Sequence, residues 1–547
     1  MHFVINRRML VYKFFYLFSL AAMSIIPFLS LHFKQVGMSP FRIGILSSAR
    51  PIFLALSAPV IGYLTDKYQA PKVTVFVCGC FWIGSTFTMG FATIPFVEEN
   101  ECETIQKDLY QRKINCELKA VSSFKLRSLS DTYPNHHENI SAEYLFRKAR
   151  QNFSEHNLTP NNVLTSCDSL DTTLEADRSW MYTSESLQKI FYILLLCNCL
   201  FDMSFNPLHS IADAESVNTL QDMDIDIADY GKQRAFGSCG WALGPLIFGP
   251  WIMYTRASAS KCGVELIKAD YKPMFIVFQV MAVGTMLTTL GFSFKYKQES
   301  HGSYTLDRNV IKQLCKLPNL AILFVVFFIG VCNGTLHGYL FWYLDTIGGD
   351  ELIMGMASAV HGVSGFILGL STGAAIRQFG HFPLITVGIF TYLVRFIYYA
   401  YVKQPWWILG SEIFHSLTFL LTWNTSISYL SQIVPEDYRT SLASLLNSLY
   451  HGFGNAFGYV ISGYLVQRFG SVNTFQIFAV LNAVVAAIII PIFLVNSGAT
   501  KDSNPDKERS IILWPDDSSK HIKCTMVQQQ VHNDENVEKT SRNGFSP

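Results

Sequence analysis

Twelve runs of roughly twenty mainly apolar residues follow one another along the chain, each long enough to cross a hydrocarbon layer of ~30 Å as a helix. They lie near residues 9–33, 43–64, 73–96, 188–208, 235–254 and 273–293, then 318–344, 353–376, 383–402, 405–433, 441–467 and 473–495. Inside a bilayer the backbone must satisfy its own hydrogen bonds, so runs of this length read as helices. An all-α polytopic membrane protein with twelve transmembrane helices is predicted. Six runs, a short polar linker and six more runs suggest two pseudo-symmetric six-helix bundles. The expected divisions are 1–294, with an exterior loop at 97–187 between helices three and four, a cytoplasmic linker 295–317, a second half 318–496, and a disordered cytoplasmic tail 497–547.

Composition agrees, since half of the 547 residues are hydrophobic, 14% are aromatic and only 15% are charged. A net charge of +1, with Lys and Arg dispersed, excludes the basic footprint of a nucleic-acid binder. Arg7 and Arg8 before an apolar run resemble a signal peptide, but the run 9–33 is long enough to span and has no obvious small-residue cleavage site, so a retained first helix is expected. Cys78/Cys80 and Cys197/Cys199 point to opposite sides of a helix and read as packing, and no metal site or cofactor motif is found. Neither a nucleophile elbow, a phosphate loop nor a zinc-type His cluster occurs, which argues against an enzyme.

Two features orient the chain. Arg7, Arg8, Lys67, Lys72, Lys232, Arg234, Lys295, Lys297, Arg308, Lys312, Lys316, Arg377 and Arg439 fall on one side, which the positive-inside rule makes cytoplasmic for both termini. The loop after the third run carries acceptor sequons at Asn139, Asn152 and Asn157, which places it outside. Cys102, Cys116 and Cys167 in that loop and Cys262 in a later one would then meet an oxidising compartment, and at least one disulfide among them is expected, in any of three connectivities. The sequons at Asn333 and Asn424 fall inside apolar runs and read as chance matches.

Three segments carry mechanism. Gly62-Tyr-Leu-Thr-Asp66-Lys67 follows the second run and is echoed by Gly373 to Gly380 after the eighth and Gly463 to Gly470 after the eleventh, as an internal duplication requires. Gly62, Asp66 and Lys67 form a candidate cytoplasmic gate, against the alternative of a solvated turn. Asp213, followed by Arg234 and Trp241 at the start of the fifth run, offers an acid, a planar guanidinium and a stacking indole to a ligand. The plainer reading makes the basic residue a membrane-surface anchor. Arg50, Asp202, Arg395, Glu412 and His415 place ionisable groups within apolar runs, where they are costly and face a cavity or a partner. At ~1.5 Å per residue, Arg395 and His415 both come out near the midplane, with Glu412 one turn from the histidine on the same face. A static interhelical ion pair is the competing account.

The segment from Gly62 to Lys67 resembles the signature between helices two and three of the major facilitator superfamily. Tyr230 to Trp241 resembles helix five of lactose permease and its relatives, and Arg395 and His415 match the arginine and histidine of their proton-coupling region. That resemblance implies a substrate role for Asp213, Arg234 and Trp241. It also sets His361 where a sugar-binding glutamate is expected and His451 near the place of a helix-eleven lysine, while Thr418 stands in place of the helix-ten acid and Glu412 supplies a carboxylate one turn earlier. Arg50-Pro51 and the large exterior loop resemble the animal group named for major facilitator superfamily domain-containing protein 6. The likeness covers residues 8–496 and implies a secondary transporter, with proton-coupled symport of a small polar solute by alternating access. The proton residues would be Arg395, Glu412, His415, Asp202 and Arg50; the substrate residues would be Asp213, Arg234, Trp241, His361 and His451. A multi-pass protein of the plasma membrane or an endomembrane is expected. The alternative is a receptor that acts through the glycosylated loop 97–187 on an extracellular protein partner.

Overall fold

The computed structural model describes residues 7–92, 183–223, 230–261, 264–292, 308–435 and 438–501. Nearly every described segment is helical. The first half contains α1 (Arg7–Met23), α2 (Ile26–Gln35), α3 (Pro40–Tyr68), α4 (Pro71–Phe87), α5 (Ser184–Asp222), α6 (Tyr230–Tyr254) and α7 (Lys272–Thr289). The second contains α8 (Arg308–Leu314), α9 (Leu317–Thr346), α10 (Glu351–Phe379), α11 (His381–Tyr401), α12 (Ile408–Glu412), α13 (Thr422–Ile433), α14 (Arg439–Asn447) and α15 (Asn455–Lys501). Turns of π-helix at Thr88–Ala92, Leu417–Leu421 and Ser448–Gly454 interrupt three of the runs.

Local chemistry sets several ends and breaks. Pro71, Pro273 and Pro318 stand in first turns, where a missing N–H leaves no intrahelical bond unmade. Asp350 caps α10 by accepting the Ile353 N–H at 2.9 Å. The first run divides at Ser24–Ile25 because Pro27 cannot donate to the Met23 carbonyl four residues back. The fourth run was expected to end near 208, but α5 continues to Asp222: polarity ends an apolar run without ending a helix. One element departs from the all-α expectation. Strands β1 (Ala257–Lys261) and β2 (Val264–Lys268) pair antiparallel between α6 and α7, Ala257 opposite Lys268.

Eight helical stretches among the described residues are long and apolar enough to cross a membrane: 8–35, 71–91, 184–222, 272–289, 317–346, 351–368, 381–401 and 441–495. The expected runs 43–64, 235–254 and 405–433 are helical as α3, α6 and α12 with α13, and the stretch 441–495 takes in the last two runs. The chain forms two compact units. Residues 1–488 hold the bundle, and 489–547 begin with the end of α15, through Pro491 to Lys501.

Within the bundle α1 lies along α6 and α7, α5 along α3 and α4, and α10 packs against α6 across the two sequence halves. That last contact needs small residues: a Cβ on Gly355 would sit 2.7 Å from the Pro245 carbonyl oxygen, and one on Gly362 would sit 2.7 Å from that of Ser238. The repeat seen in the sequence is visible in the backbone. Gln69, Gly380 and Gly470 each come seven residues after the first glycine of the repeated segment, and all three have positive φ (49°, 77° and 81°) at the turn into the next helix. Gly37 and Gly348 mark corresponding turns at the other end, with φ of 86° and 82°. Gln69 is the one non-glycine described in this region. Left-handed backbone costs a side-chain-bearing residue roughly 1–2 kcal/mol, while glycine costs roughly 0.5–1 kcal/mol in chain entropy. Gln69→Gly should therefore raise the melting temperature of the purified protein, and Gly380→Ala should lower it; the reverse order would remove the strain argument.

Candidate functional site

Arg395 reaches from the middle of α11 into the broken tenth run and is almost wholly buried, at 2% exposure. A guanidinium has five N–H donors and accepts nothing. All five are used here. Nε and Nη2 donate to the Tyr399 hydroxyl (3.0 and 2.6 Å), Nη2 also to Glu412 Oε1 (3.0 Å), and Nη1 to His415 Nδ1 (3.1 Å) and Thr418 Oγ1 (3.1 Å). Tyr399 in turn donates to Glu412 Oε1 at 2.7 Å. Because the arginine can only donate, His415 Nδ1 holds a lone pair in this arrangement, and the imidazole is neutral with its proton on Nε2. The carboxylate Oε2 of Glu412 waits 4.0 Å from the same Nδ1.

The tenth run is discontinuous where these groups lie. Regular α-helix stops at Glu412, and the π turn begins at Leu417, so Glu412, His415 and Thr418 converge on one guanidinium instead of following the regular spacing. His361 of α10 lies against His415 with ring centroids 3.5 Å apart and the rings tilted by 34°, His337 of α9 lies 5.8 Å from His415, and Trp241 of α6 is 5.9 Å from His361. A cavity of ≈ 30 Å³, room for one or two waters, lies among His337, His361, Arg395, Glu412 and His415, with Pro27 also in its lining. The donor atoms of His361, Glu412 and His415 fall within 4.8 Å of one another, as compact as a metal site. Arg395 opposes that use: it occupies His415 Nδ1 and sets a fixed positive charge among the would-be ligands.

The structure separates the other sequence candidates. Arg50 and Asp202 form a buried ion pair between α3 and α5, Nε to Oδ2 3.4 Å. Asp213 accepts from the Tyr16 hydroxyl at 2.5 Å and lies 3.7 Å from Arg234, which also donates to Tyr230 at 3.3 Å. His451 packs against Phe419, Trp423 and Tyr450, within electrostatic reach of both Arg234 and His337. Trp241 and His361 therefore join the Arg395 network, Asp213 and Arg234 form their own pair, and His451 stands between these groups. Asn333, inside an apolar run, donates to Asn455 at 3.2 Å. Lys67 is exposed at the end of α3, whereas the surroundings of Gly62 and of the Asp66 side chain lie outside what is described, as do Asn139, Asn152, Asn157, Cys102, Cys116, Cys167 and Cys262.

One cluster was not anticipated. At the end of the bundle from which the 93–182 segment leaves, Lys34 Nζ meets Asp345 Oδ2 at 2.7 Å, and Arg256 lies 3.7 Å from both Asp345 and Glu351. Tyr271 donates to Glu351 at 3.3 Å, and Lys34 also sits 4.7 Å from the centroid of the Trp342 ring. Lys34, Arg256 and Tyr271 belong to the first half, Asp345 and Glu351 to the second. A cavity of ≈ 160 Å³ lies among them. The only sequence signal was five polar residues at the margins of apolar runs, where charge is ordinary.

The profile of the MFS_1 like family matches residues 9–477. Major facilitator superfamily domain-containing protein 6-like protein A of Xenopus laevis is 24% identical over 311 residues, 54% of this chain and 48% of that one. The match thus spans about half the length of the Xenopus relative. The 6-like protein of Homo sapiens is 19% identical over 529 residues, 86% and 88% of the two chains, and maltose permease of Geobacillus stearothermophilus is 19% identical over 315 residues, 57% and 73%. Among solved structures, the nucleoside transporter NupG superposes with a TM-score of 0.60 at 13% identity, covering 89% of this chain and 99% of that one, a likeness of fold.

Proposed function

The chain belongs to the MFS_1 like family, within the major facilitator superfamily, and on that premise we propose that it is a secondary transporter coupling a small polar solute to protons. Twelve spans in two six-helix halves, 1–294 and 318–496, would rock about a central site. One observation carries the coupling: His415 Nδ1 lies 3.1 Å from Arg395 and 4.0 Å from Glu412, two partners that demand opposite protonation states. The neutral ring accepts from the arginine. A proton arriving on Nδ1 breaks that bond and redirects the nitrogen toward the carboxylate, which releases Arg395 Nη1 and changes how α11 holds the tenth run. Proton occupancy and helix position become one equilibrium.

Two gates would bound the cycle. Lys34, Arg256, Asp345 and Glu351 tie the halves at the end of the 93–182 segment, and the turn holding Gly62, Asp66 and Lys67 serves the other end. The direct test is uptake by purified protein in liposomes, with and without a pH gradient, across sugars, nucleosides and amino acids; the names of the similar permease and nucleoside transporter place the first two in the screen. A pH-dependent uptake of one class supports the reading. Uptake of none, together with a soluble partner captured by the 97–187 loop, would favour the receptor alternative.

Orientation has its own measurement. If that loop is exterior, glycosidase treatment shifts the apparent mass of protein made in animal cells, and replacing Asn139, Asn152 and Asn157 by Gln abolishes the shift. An unshifted wild-type protein overturns the orientation. A disulfide among Cys102, Cys116, Cys167 and Cys262 would hold proteolytic fragments together until reductant is added.

A further inference from the structure

The two intramembrane arginines differ in one respect. Arg395 has every donor filled by protein, whereas Arg50, 5% exposed, has a buried Nε with no hydrogen-bond partner among the described residues. Its contacts are the ion pair with Asp202 Oδ2 at 3.4 Å, without the alignment of a hydrogen bond, and the face of Phe201 at 5.1 Å. Asp202 is 3% exposed, and its second oxygen, Oδ1, is buried without a partner. A buried guanidinium nitrogen and a buried carboxylate oxygen left without hydrogen bonds are each costly, and such atoms persist where something else satisfies them.

Their surroundings suit a ligand that enters between the halves. Pro51 cannot donate to the Ser47 carbonyl four residues back, which adds an acceptor at the same level of α3. Tyr459 of α15 and His337 of α9, both from the second half, lie within electrostatic reach of Arg50. The π turn Ser448–Gly454 faces this part of α3, so closely that a Cβ on Gly452 would come 2.8 Å from that of Ala55. Two first-half helices thus present the charged pair at a seam that separates when the halves rock.

We propose that Arg50 and Asp202 form the recognition pair for a small zwitterion of the amino-acid type, its carboxylate on the Arg50 guanidinium and its ammonium on Asp202 Oδ1. Charge balance selects this class. The empty pair is neutral, so a bare anion or cation would leave one uncompensated charge in a low-dielectric seam, whereas a zwitterion supplies both partners and keeps the site neutral. The planar fork of the guanidinium matches a carboxylate in two parallel hydrogen bonds. The proposal deepens the transport reading by naming the solute class, and it reassigns Arg50 and Asp202 from the proton pathway to the substrate.

Equilibrium binding separates it from the coupling mechanism, because no gradient is applied. The full chain in lipid nanodiscs is melted with L-alanine or L-leucine, each beside its singly charged counterparts: propionate and ethylamine, or 4-methylpentanoate and isopentylamine. At saturation at least one amino acid should raise the midpoint by about 2 °C or more, with neither counterpart matching it. Arg50→Lys keeps the charge but loses the fork, and should weaken that binding roughly tenfold or more. Asp202→Asn leaves an unneutralised arginine, and should shift preference from the amino acid to the carboxylate. Equal shifts with all three members of each series, no shift with any, or an amino-acid response unchanged in both variants overturns the assignment. Should either variant fail to fold, the wild-type series decides alone. Binding of a zwitterion without pH-dependent uptake would leave this site standing and remove the proton coupling.

Discussion

In proteoliposomes with an imposed pH gradient, His415→Gln should abolish accumulation of the transported solute while exchange at equal pH continues near the wild-type rate. One pH unit is worth about 1.4 kcal/mol, so a coupled carrier moving one proton per solute reaches about tenfold accumulation, and an uncoupled one reaches none. Glutamine is the informative replacement because its carbonyl can still accept from Arg395 Nη1 but cannot take a proton. Arg395→Ala should uncouple as well, with a second effect. It strands Glu412, 4% exposed, as an unpaired buried carboxylate, which costs about 3–5 kcal/mol of stability. Arg395→Ala combined with Glu412→Gln removes both charges and separates lost coupling from lost fold. If His415→Gln accumulates solute normally, while Arg395→Ala and Glu412→Ala only melt earlier, the network is a static brace.

The second large effect is expected at the opposite site of charge. Among the described residues Asp345 is the one acid paired with both Lys34 and Arg256, and Lys34 is 4% exposed. Asp345→Asn removes the countercharge from two cations only when this end of the bundle is closed. Breaking such a buried pair by removing one partner costs about 3 kcal/mol or more, which is roughly a hundredfold shift toward the state open at this end. A thiol placed at Leu31, which lines the cavity beside the cluster, reports the shift. Its labelling by a membrane-impermeant maleimide should accelerate strongly in Asp345→Asn, relative to the same chain with Asp345 intact. Unchanged labelling in folded protein would make the cluster a surface ornament of the closed form. Glu351→Gln should act in the same direction but less, since Glu351 accepts a hydrogen bond from Tyr271 that glutamine can keep and, among the described cations, pairs with Arg256 alone.

The depth estimate brought Arg395 and His415 to one level because α-helices convert residue number into distance at a fixed rise. It did not reveal that Thr418 and Tyr399 complete the shell, since a threonine and a tyrosine in an apolar run carry no cost that marks them. The repeated glycine segments were legible, and their positive-φ turns follow from them; Gln69 was not, because nothing in its identity announces a left-handed backbone. Lys34, Asp345 and Glu351 were passed over for the opposite reason: charge at the margin of a hydrophobic run is the common case, and only packing shows that Lys34 and Glu351 are buried with the half-buried Asp345 beside them.

The sequence by itself determined the class of structure. Runs of apolar residues about twenty long satisfy their own backbone hydrogen bonds in a bilayer as helices, and their grouping with the repeated glycines predicts a duplicated plan. Tertiary structure decided which ionisable groups meet. Arg395 and Arg50 are equivalent in the sequence, each one arginine in an apolar run, yet one has its five donors filled while the other keeps a buried Nε without a hydrogen-bond partner among the described residues. The reason is physical. Burial makes a charge expensive wherever it lies, but the groups that offset it come from helices far away in the chain, and their distances are fixed only when those helices pack.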